Sequence, residues 1–333
     1  MIDVSILIVH YKTLQLTTDC IRSVYALTKD VIFEIIVIDN DSQDGAAEAI
    51  TKEFPTIKWL NTGYNAGFGR ANNVGIRAAK GRYVLLLNSD TLLIDDVISR
   101  CTKRMDYQTN VAAAGAMQLD AQQQPRFFYT KFADILHSFF IVPLGARKLL
   151  ARLMPPTQYA DPEEADWVVG SFKMVRRAAF EKVGMFDEDF FMYAEDAEWS
   201  CRLRKAGQLK IFHDCQYIHL EWGSDPTRKR EAISYLNRFY PQIHLSNLVW
   251  VRKSFGLGFY LLLILNYLLL VPVIFGWRMA VSLLQFQSPF NNLSNQKAYT
   301  RKIMVFMRYF WPIVWNKPHF YKLNQDLAKR SSP

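Results

Sequence analysis

Several residue types and motifs are scarce or missing here, and each gap closes off a class of protein. Cysteine occurs four times, at Cys20, Cys101, Cys201 and Cys215, with no close pair among them. That spacing argues against a zinc site or a disulfide framework and fits a reducing compartment. No basic stretch precedes the first apolar run; MIDVSILIVHY carries the acid Asp3 instead. The segment is expected to be a strand rather than a secretion signal, which places the first domain in the cytosol. Glycine is missing from HYKTLQLTT, which follows that strand, so the G-x-G-x-x-G loop of dinucleotide folds is absent there, and no G-x-x-x-x-G-K-[ST] loop occurs. No internal repeat is visible. Acids almost vanish from the end of the chain: from Arg252 onward, eleven Lys or Arg face Asp326 alone. This tail holds +10 of the formal +9, leaving about −1 (9 − 10) for residues 1 to 251. Nucleic acid and an anionic membrane surface are the two partners such a tail suits.

What is present begins with bulk. The 333 residues, 50% of them hydrophobic and 14% aromatic, suffice for one large domain with an appendage, or for two domains. The organising stretch is Tyr83 to Thr91, YVLLLNSDT. A short, unbroken apolar run predicts a strand buried on both faces of a parallel sheet, and ligands gather at the carboxyl ends of such strands. Asn88, Ser89 and Asp90 are thus expected to project into a crevice, where Asp90 either holds a divalent cation against a phosphate or caps the next helix.

Strands and helices alternate around that run. Val4–Tyr11 reads as a strand, followed by a helix with Leu16, Cys20, Ile21, Val24 and Leu27 at helical spacing and Thr17 or Thr18 as its cap. Phe33–Asp39 is a second strand, Ala46–Phe54 a helix, Ile57–Asn61 a strand, and Ala71–Ala79 a helix ended by Gly81. The order implies a doubly wound, mostly parallel α/β sheet. Residues 119 to 165, with the prolines Pro125, Pro143, Pro155 and Pro156, are less regular and read as an excursion over the crevice. Asp166–Arg176 is expected to be a strand, Glu195–Lys205 a helix ended by Gly207, and Lys210–Phe212 and Gln216–Leu220 two short strands. Helical pattern resumes near Lys229.

Four groups of residues could carry chemistry, each with a plainer role beside it. Asp39, with Asn40, ends a strand and can accept the imide N–H of a pyrimidine; its plainer role is a turn carboxylate bonding its own backbone. The loop Asn61–Gly75, NTGYNAGFGRANNVG, packs five Asn or Arg and four Gly into one loop–helix junction. Glycines admit a close ligand, asparagines serve sugar hydroxyls, and Arg70 can meet a phosphate at a helix start; the plainer role is a self-satisfied loop. Glu195, Asp196 and Glu198 open a helix whose dipole suits them, and they follow the apolar run Phe190–Tyr193. A carboxylate beside such walls makes a general base. His219 follows a strand and, with Asp90, makes a carboxylate–imidazole set for Mg²⁺ or Mn²⁺; its plainer role is packing. The other histidines, His10 among them, are read as structural.

In order, VSILIVHY, VIDNDSQDG, NTGYNAGFGRANNVGI, YVLLLNSDT, DWVVGSFKMVRRAAFEKVGMFDEDFFMYAEDAEWSCRLRKAG and YIHLEWGS resemble glycosyltransferase family 2, and within it the bacterial rhamnosyltransferase-like members. The resemblance covers roughly the first 230 residues. It implies a GT-A fold, a nucleotide-sugar donor, a divalent cation and inversion at the anomeric carbon. Carried over residue by residue, Asp39 resembles the acid that reads the base, with Tyr11 and Asn40 in the same nucleoside pocket. Asn65, Gly67, Arg70 and Asn72 resemble the donor-side loop. Asp90 is similar to the last acid of the D-x-D metal motif, His219 to a histidine that completes it, and Asp196 to the catalytic base, with Glu195, Gly170 and Ser171 in support. Asn88 stands where the first acid of D-x-D is usual, a departure this branch shares. The resemblance favours dTDP-rhamnose and leaves UDP-hexoses open. It implies a lipid-linked saccharide acceptor in cell-surface polysaccharide synthesis, with no nucleic-acid partner. A nucleotide-sugar hydrolase or pyrophosphorylase-like enzyme is the competing catalytic reading, although HYKTLQLTT lacks the glycine- and arginine-rich loop usual for the latter. A membrane-tethered scaffold without activity is the other, against which Asp39, Asp90 and Asp196 all stand intact.

The chain is thus expected to divide into a GT-A domain over residues 1 to 245 and a basic, apolar, helical region over 246 to 333. Ser254–Trp277 carries no charge over 24 residues. As a helix it would reach ~36 Å, enough for a hydrocarbon core of ~30 Å. Lys and Arg flank it on both sides, which a single span accommodates poorly. Pro272 can bend it into an in-plane or re-entrant form with both flanks at anionic headgroups. The expected location is the cytoplasmic face of the bacterial inner membrane, monotopic or single-span.

Overall fold

The structure is a computed structural model that describes residues 1–126, 130–142, 144–155, 157–220 and 241–323. Contacts gather the chain into two compact units, one of residues 1–132, 157–191 and 195–228, the other of 133–156, 192–194 and 229–333.

The first unit is built on one sheet. Its opening half is β1 (Val4–His10), α1 (Leu14–Leu27), β2 (Phe33–Asp39), α2 (Ala46–Glu53), β3 (Lys58–Asn61), α3 (Gly67–Ala78) and β4 (Tyr83–Asn88). β3, β2, β1 and β4 lie side by side and parallel, joined by the helical crossovers that parallel pairing requires. Both faces are covered. Ile6 and Ile8 of β1 face a core with Cys20, Ile21 and Val24 of α1, while Leu7 faces Ala71 and Ile76 of α3. This two-sided burial is why the strands read as continuous apolar runs rather than alternating ones.

α1 begins at Leu14, earlier than Thr17 or Thr18 would set it as caps. Both threonines lie inside the helix: Thr18 bonds back to the Leu14 carbonyl at 2.8 Å, and Thr17 Oγ1 lies 2.8 Å from His10 Nδ1. The hydroxyls are drawn to these partners and leave the helix start uncapped by a side chain.

The second half of the sheet is mixed. After β5 (Thr91–Leu93) and α4 (Val97–Tyr107) come β6 (Val111–Leu119), then α5 (Phe132–Phe139) and α6 (Leu144–Leu153) within the irregular stretch, then β7 (Glu164–Ala165) and β8 (Phe172–Arg176). α7 (Arg177–Val183), α8 (Glu195–Leu203) and β9 (Gln208–His219) complete it. β8 lies antiparallel between β4 and β6. The strand expected over Asp166–Arg176 thus starts only at Phe172. The two strands expected over residues 210 to 220 are one strand, β9, irregular where the partner of β6 jumps from Phe212 to Gln216. That bulge splits the apolar pattern and imitates a turn.

In the second unit, α9 (Pro241–Leu284) is followed by α10 (Ser294–Arg308) and α11 (Phe310–Val314). α9 breaks at Gly256, whose φ of +88° and ψ of 176° are open to glycine alone. Pro272 is not the site of the break; it sits within continuous helix. Tyr260, Leu263, Ile264 and Tyr267 are buried, and the Tyr299 hydroxyl of α10 donates to the Tyr267 carbonyl at 3.1 Å. Asn266, polar within the charge-free run, bonds both ways with the Ile141 backbone. Among the described residues, α9 is one helix long and apolar enough to cross a membrane. The expected helical pattern near Lys229, and the cations Arg228, Lys229, Arg230 and Arg238, lie outside the described residues.

Candidate active site

Three parallel strands end together. β1 sets His10 beside Asp39 of β2 and Val9 beside Asn88 of β4. Their carboxyl ends deliver Tyr11, Asp39, Asn40 and Asn88 to one edge of the sheet, where ligands of such sheets collect. Tyr11 is half-buried, with the Lys12 ammonium 5.4 Å from its ring. Asp39 Oδ1 accepts the Ser42 N–H at 3.0 Å, the turn bond that sequence alone suggests, and this orients the carboxylate at the strand end.

The asparagine-rich loop is held largely by itself. Asn40 is buried; its Oδ1 accepts the Ala66 N–H at 2.8 Å, and its Nδ2 donates to Asn65 Oδ1 at 3.1 Å. Asn65 Oδ1 also accepts the Gly67 N–H at 3.2 Å. Asn72 is buried and donates to the Phe68 carbonyl at 3.0 Å. Asn40 and Asn72, expected among the donor ligands, thus spend these polar atoms on shaping the loop. Gly67 has φ +77°, and a Cβ there would lie 1.8 Å from the Phe191 carbonyl oxygen. The close approach that demands glycine is to the protein's own backbone. The Phe68 N–H then donates to that carbonyl at 3.0 Å. Arg70, in the first turn of α3, donates to the Glu188 carbonyl at 2.7 Å and to the Tyr64 hydroxyl at 3.3 Å.

β4 stops at Asn88, and Ser89–Asp90 make the turn into β5. β5 pairs antiparallel with β9, Thr91 opposite His219, and this register brings His219 to Asp90. His219 Nε2 lies 3.1 Å from Asp90 Oδ1 and 3.4 Å from Asn88 Nδ2. The Leu220 N–H closes on the Asp90 carbonyl at 2.9 Å. Among the described residues, buried His219 Nδ1 has no hydrogen-bond partner. Among the described residues no group of three His, Cys, Asp or Glu converges. One carboxylate, one imidazole and the Asn88 carboxamide could hold a hard or borderline divalent cation. Glu221, Gly223 and Ser224, which follow His219 in the motif, lie outside the described residues.

A second carboxylate joins this edge through β8. The Asn88 N–H donates to the Ser171 carbonyl at 3.0 Å, and the adjacent Gly170 N–H donates to Asp196 Oδ2 at 3.0 Å. Ser171 Oγ is 2.7 Å from the Tyr217 hydroxyl. At Gly170 a Cβ would press on the Phe68 ring at 3.1 Å and sit 3.6 Å from the Asp196 Cβ, so glycine keeps this approach open. Asp196 Oδ1 accepts the Ala197 N–H at 2.9 Å. Both Asp196 oxygens are therefore met by backbone donors. Its neighbour Glu195 is the opposite case. It is buried, its Oε2 has no hydrogen-bond partner among the described residues, and burial together with the Asp196 charge pushes its carboxyl well above the usual range.

In this neighbourhood His10 has the structural role read from sequence, whereas Lys173 escaped that reading. His10 is fully buried, with Nδ1 on Thr17 and Nε2 3.1 Å from Asp44 Oδ2, so it braces the segments after β1 and β2. Lys173 is fully buried beneath α8. Its signal was a lysine between Phe172 and Met174 inside an apolar strand.

A nine-stranded mixed sheet with polar strand ends, a carboxylate–imidazole pair and a carboxylate opening a helix define a GT-A type α/β protein. The family described as glycosyl transferase family 2 matches residues 5–184, more than half of the chain, and the chain belongs to that family. It is 27% identical over 197 residues to an N-acetylglucosaminyl-diphospho-decaprenol L-rhamnosyltransferase of Mycobacterium tuberculosis, covering 54% of this chain and 63% of that one. It is 27% identical over 202 residues to the rhamnosyltransferase WbbL of Escherichia coli, covering 57% and 75%. Its fold is similar to that of a mannosyltransferase from Pyrobaculum calidifontis in complex with GDP-Man and Mn²⁺, at a TM-score of 0.52 and 15% identity, over 94% of this chain and 87% of that one.

Proposed function

We propose that this chain transfers a sugar, rhamnose from dTDP-rhamnose before a UDP-hexose, to a hydroxyl of a lipid-linked saccharide, with inversion at the anomeric carbon. The observation that carries the reading is the hydrogen-bonded path Asn88–Ser171–Gly170–Asp196, which ties the base to the strand end beside Asp90 and His219. Asp39 and Tyr11 take the nucleoside, with Asn65 and Arg70 on the donor side, and Asn40, Gly67 and Asn72 shape the loop that holds them. Asp196 takes the proton of the acceptor hydroxyl. The acceptor oxygen bonds to the anomeric carbon as the bond to the nucleoside diphosphate breaks on the opposite face, so direct displacement inverts the anomer. A divalent cation, Mg²⁺ or Mn²⁺, on Asp90 and His219 would supply Lewis-acid stabilisation of the departing diphosphate. The names of the mycobacterial and Escherichia coli relatives support rhamnose, and the former supports a polyprenyl-diphosphate acceptor.

Residues 1 to 245 carry the chemistry in this reading, with 119 to 165 on the acceptor side. Residues 246 to 333 attach the enzyme to the cytoplasmic face of an anionic membrane. The leucines that α9 leaves exposed and the cations Lys297, Arg301 and Arg308 of α10 support that attachment. The interlocking of Tyr299 with Tyr267 favours an in-plane seat, because a span would draw this basic helix to hydrocarbon depth.

The test is an assay of purified full-length protein with a panel of nucleotide sugars, with and without crude lipid-linked acceptor and Mn²⁺, reading product and anomer. Acceptor-dependent transfer with an inverted anomer is expected. Donor cleavage that ignores acceptor would make the protein a hydrolase, and no turnover with any donor would leave a scaffold.

A further inference from the structure

Lys173 is a charge in an apolar place. On β8 its neighbours Phe172 and Met174 point into one core layer, whereas Val175 faces the other, with Trp199 and Leu203 of α8. The Lys173 side chain shares the latter face. Its Nζ donates to the Asp196 backbone carbonyl at 2.9 Å and to Ser200 Oγ at 2.8 Å, and lies 5.4 Å from the centre of the Trp199 ring. Ser200 Oγ donates to the same Asp196 carbonyl at 2.7 Å. Both hydrogen-bond acceptors of the ammonium are neutral, yet a buried cation calls for an opposite charge. The ionisable groups acting on it, Asp196, Glu195, Cys201 and Arg202, all belong to α8. Burial works against the charge, and among these groups Asp196 does most to favour it.

We propose that Lys173 is a positioning residue for the transfer reaction: a buried counter-charge that fixes the backbone of Asp196 and keeps Asp196 the basic member of the Glu195–Asp196 pair. The proposal rests on Asp196 being the base. Four contacts hold that residue, the Lys173 ammonium and the Ser200 hydroxyl on its carbonyl and the Gly170 and Ala197 N–H groups on its carboxylate. Burial pulls the ammonium down to about 8, so it still carries its charge at neutral pH.

The test uses the full chain with Lys173→Met, which suits the apolar layer and removes the charge, and Lys173→Gln, which keeps a donor for the carbonyl. Thermal stability, donor KM and the pH dependence of kcat are measured. The acid limb of kcat reports the base in the bound complex, and loss of the nearby cation should move it upward by about one pH unit. At pH 7 kcat should fall about tenfold while donor KM stays within about twofold. Ser200→Ala, which leaves the charge in place, should keep the limb where it is. An unmoved limb in both Lys173 variants overturns the proposal, whatever their stability, and so does failure of both to fold, which would make Lys173 a folding residue only. Asp196→Asn, run alongside, separates the two readings: if it keeps wild-type turnover, the assignment of the base has failed. If it is inactive while the Lys173 limb is unmoved, only the present proposal has failed.

Discussion

Leu86 in β4 and Leu269 in α9 are the same side chain in two settings, 0% exposed in the first and 58% exposed in the second. In the first unit the apolar residues of β1, β2 and β4 are sealed between helices, and the polar residues at the strand ends are tied to backbone. In the second, Leu262, Leu265, Leu269 and Trp277 stay outside although their run holds no charge. Burying apolar area stabilises a fold by roughly 25 cal/mol per Å². The second unit leaves that stabilisation unused within itself, as surfaces that meet a membrane or another protein do.

The sharpest way to break this contrast is at the base. Asp196→Asn preserves shape while removing basicity, and its amide nitrogen, a donor only, gives up one of the two backbone N–H partners. Turnover should fall by ~10² or more with donor affinity unchanged, the scale for a lost general base. Measuring kcat and the donor dissociation constant on the same preparation checks it, and near-normal kcat would remove Asp196 from the mechanism. On the other side of the contrast, a chain ended near Leu248 should shift from the membrane pellet to the supernatant, where the full chain pellets at low salt. Release of the full chain by high salt and carbonate would leave surface binding and exclude a span, and a full chain already in the supernatant at low salt defeats the attachment.

A smaller effect sharpens the donor side. Asp39→Ala should abolish nucleotide binding by calorimetry with or without metal. Asp90→Ala should weaken it mainly when Mn²⁺ is present, by about tenfold, as for loss of one ligand of a partly hydrated ion. Unchanged affinity in both variants would refute the placement of the donor along these strand ends.

The parts legible in sequence are those where local pattern decides. β2 runs Phe33–Asp39 as its composition predicts, and Asp39, Asn88 and Asp90 fall at strand ends because an apolar run that stops on polar residues has only one way to leave a sheet. The register of β5 against β9 was not legible, since Thr91 meets His219 across more than a hundred residues and no local feature encodes that pairing. The same holds for Gly67, whose motif suggested a ligand; the Phe191 carbonyl that forbids a side chain there is supplied by a distant segment. Lys173 was overlooked because a lysine in a strand is ordinarily solvated, and only the packing of α8 over β8 shows it buried. In the second unit, proline drew attention as the breaker of α9. Yet Gly256 breaks it, because a helix can continue past the lost N–H of Pro272 but not past a residue at φ +88°.

The smallest expected effect concerns the residue beside the base. Burial and the Asp196 charge push the Glu195 carboxyl up to about 8, from an ordinary value of 4.5. The folded chain therefore holds this proton through neutral pH while the unfolded chain releases it. Because folding takes up a proton in that interval, the stabilisation tied to this group is complete below the ordinary glutamate value and is lost as pH rises through about 8. Glu195→Gln is neutral at every pH and keeps the shape, so it should flatten that decline. Between pH 5 and pH 8.5 the wild-type melting temperature should drop by on the order of 2–4 °C more than that of the variant. Turnover of Glu195→Gln should stay near wild type, because the protonated acid it replaces carries no proton away from the acceptor. Parallel melting curves for the two proteins would show that Glu195 is ionised in the fold. If Glu195→Gln instead loses turnover while Asp196→Asn keeps it, the two carboxyls exchange roles, and the base is the one that burial was taken to silence.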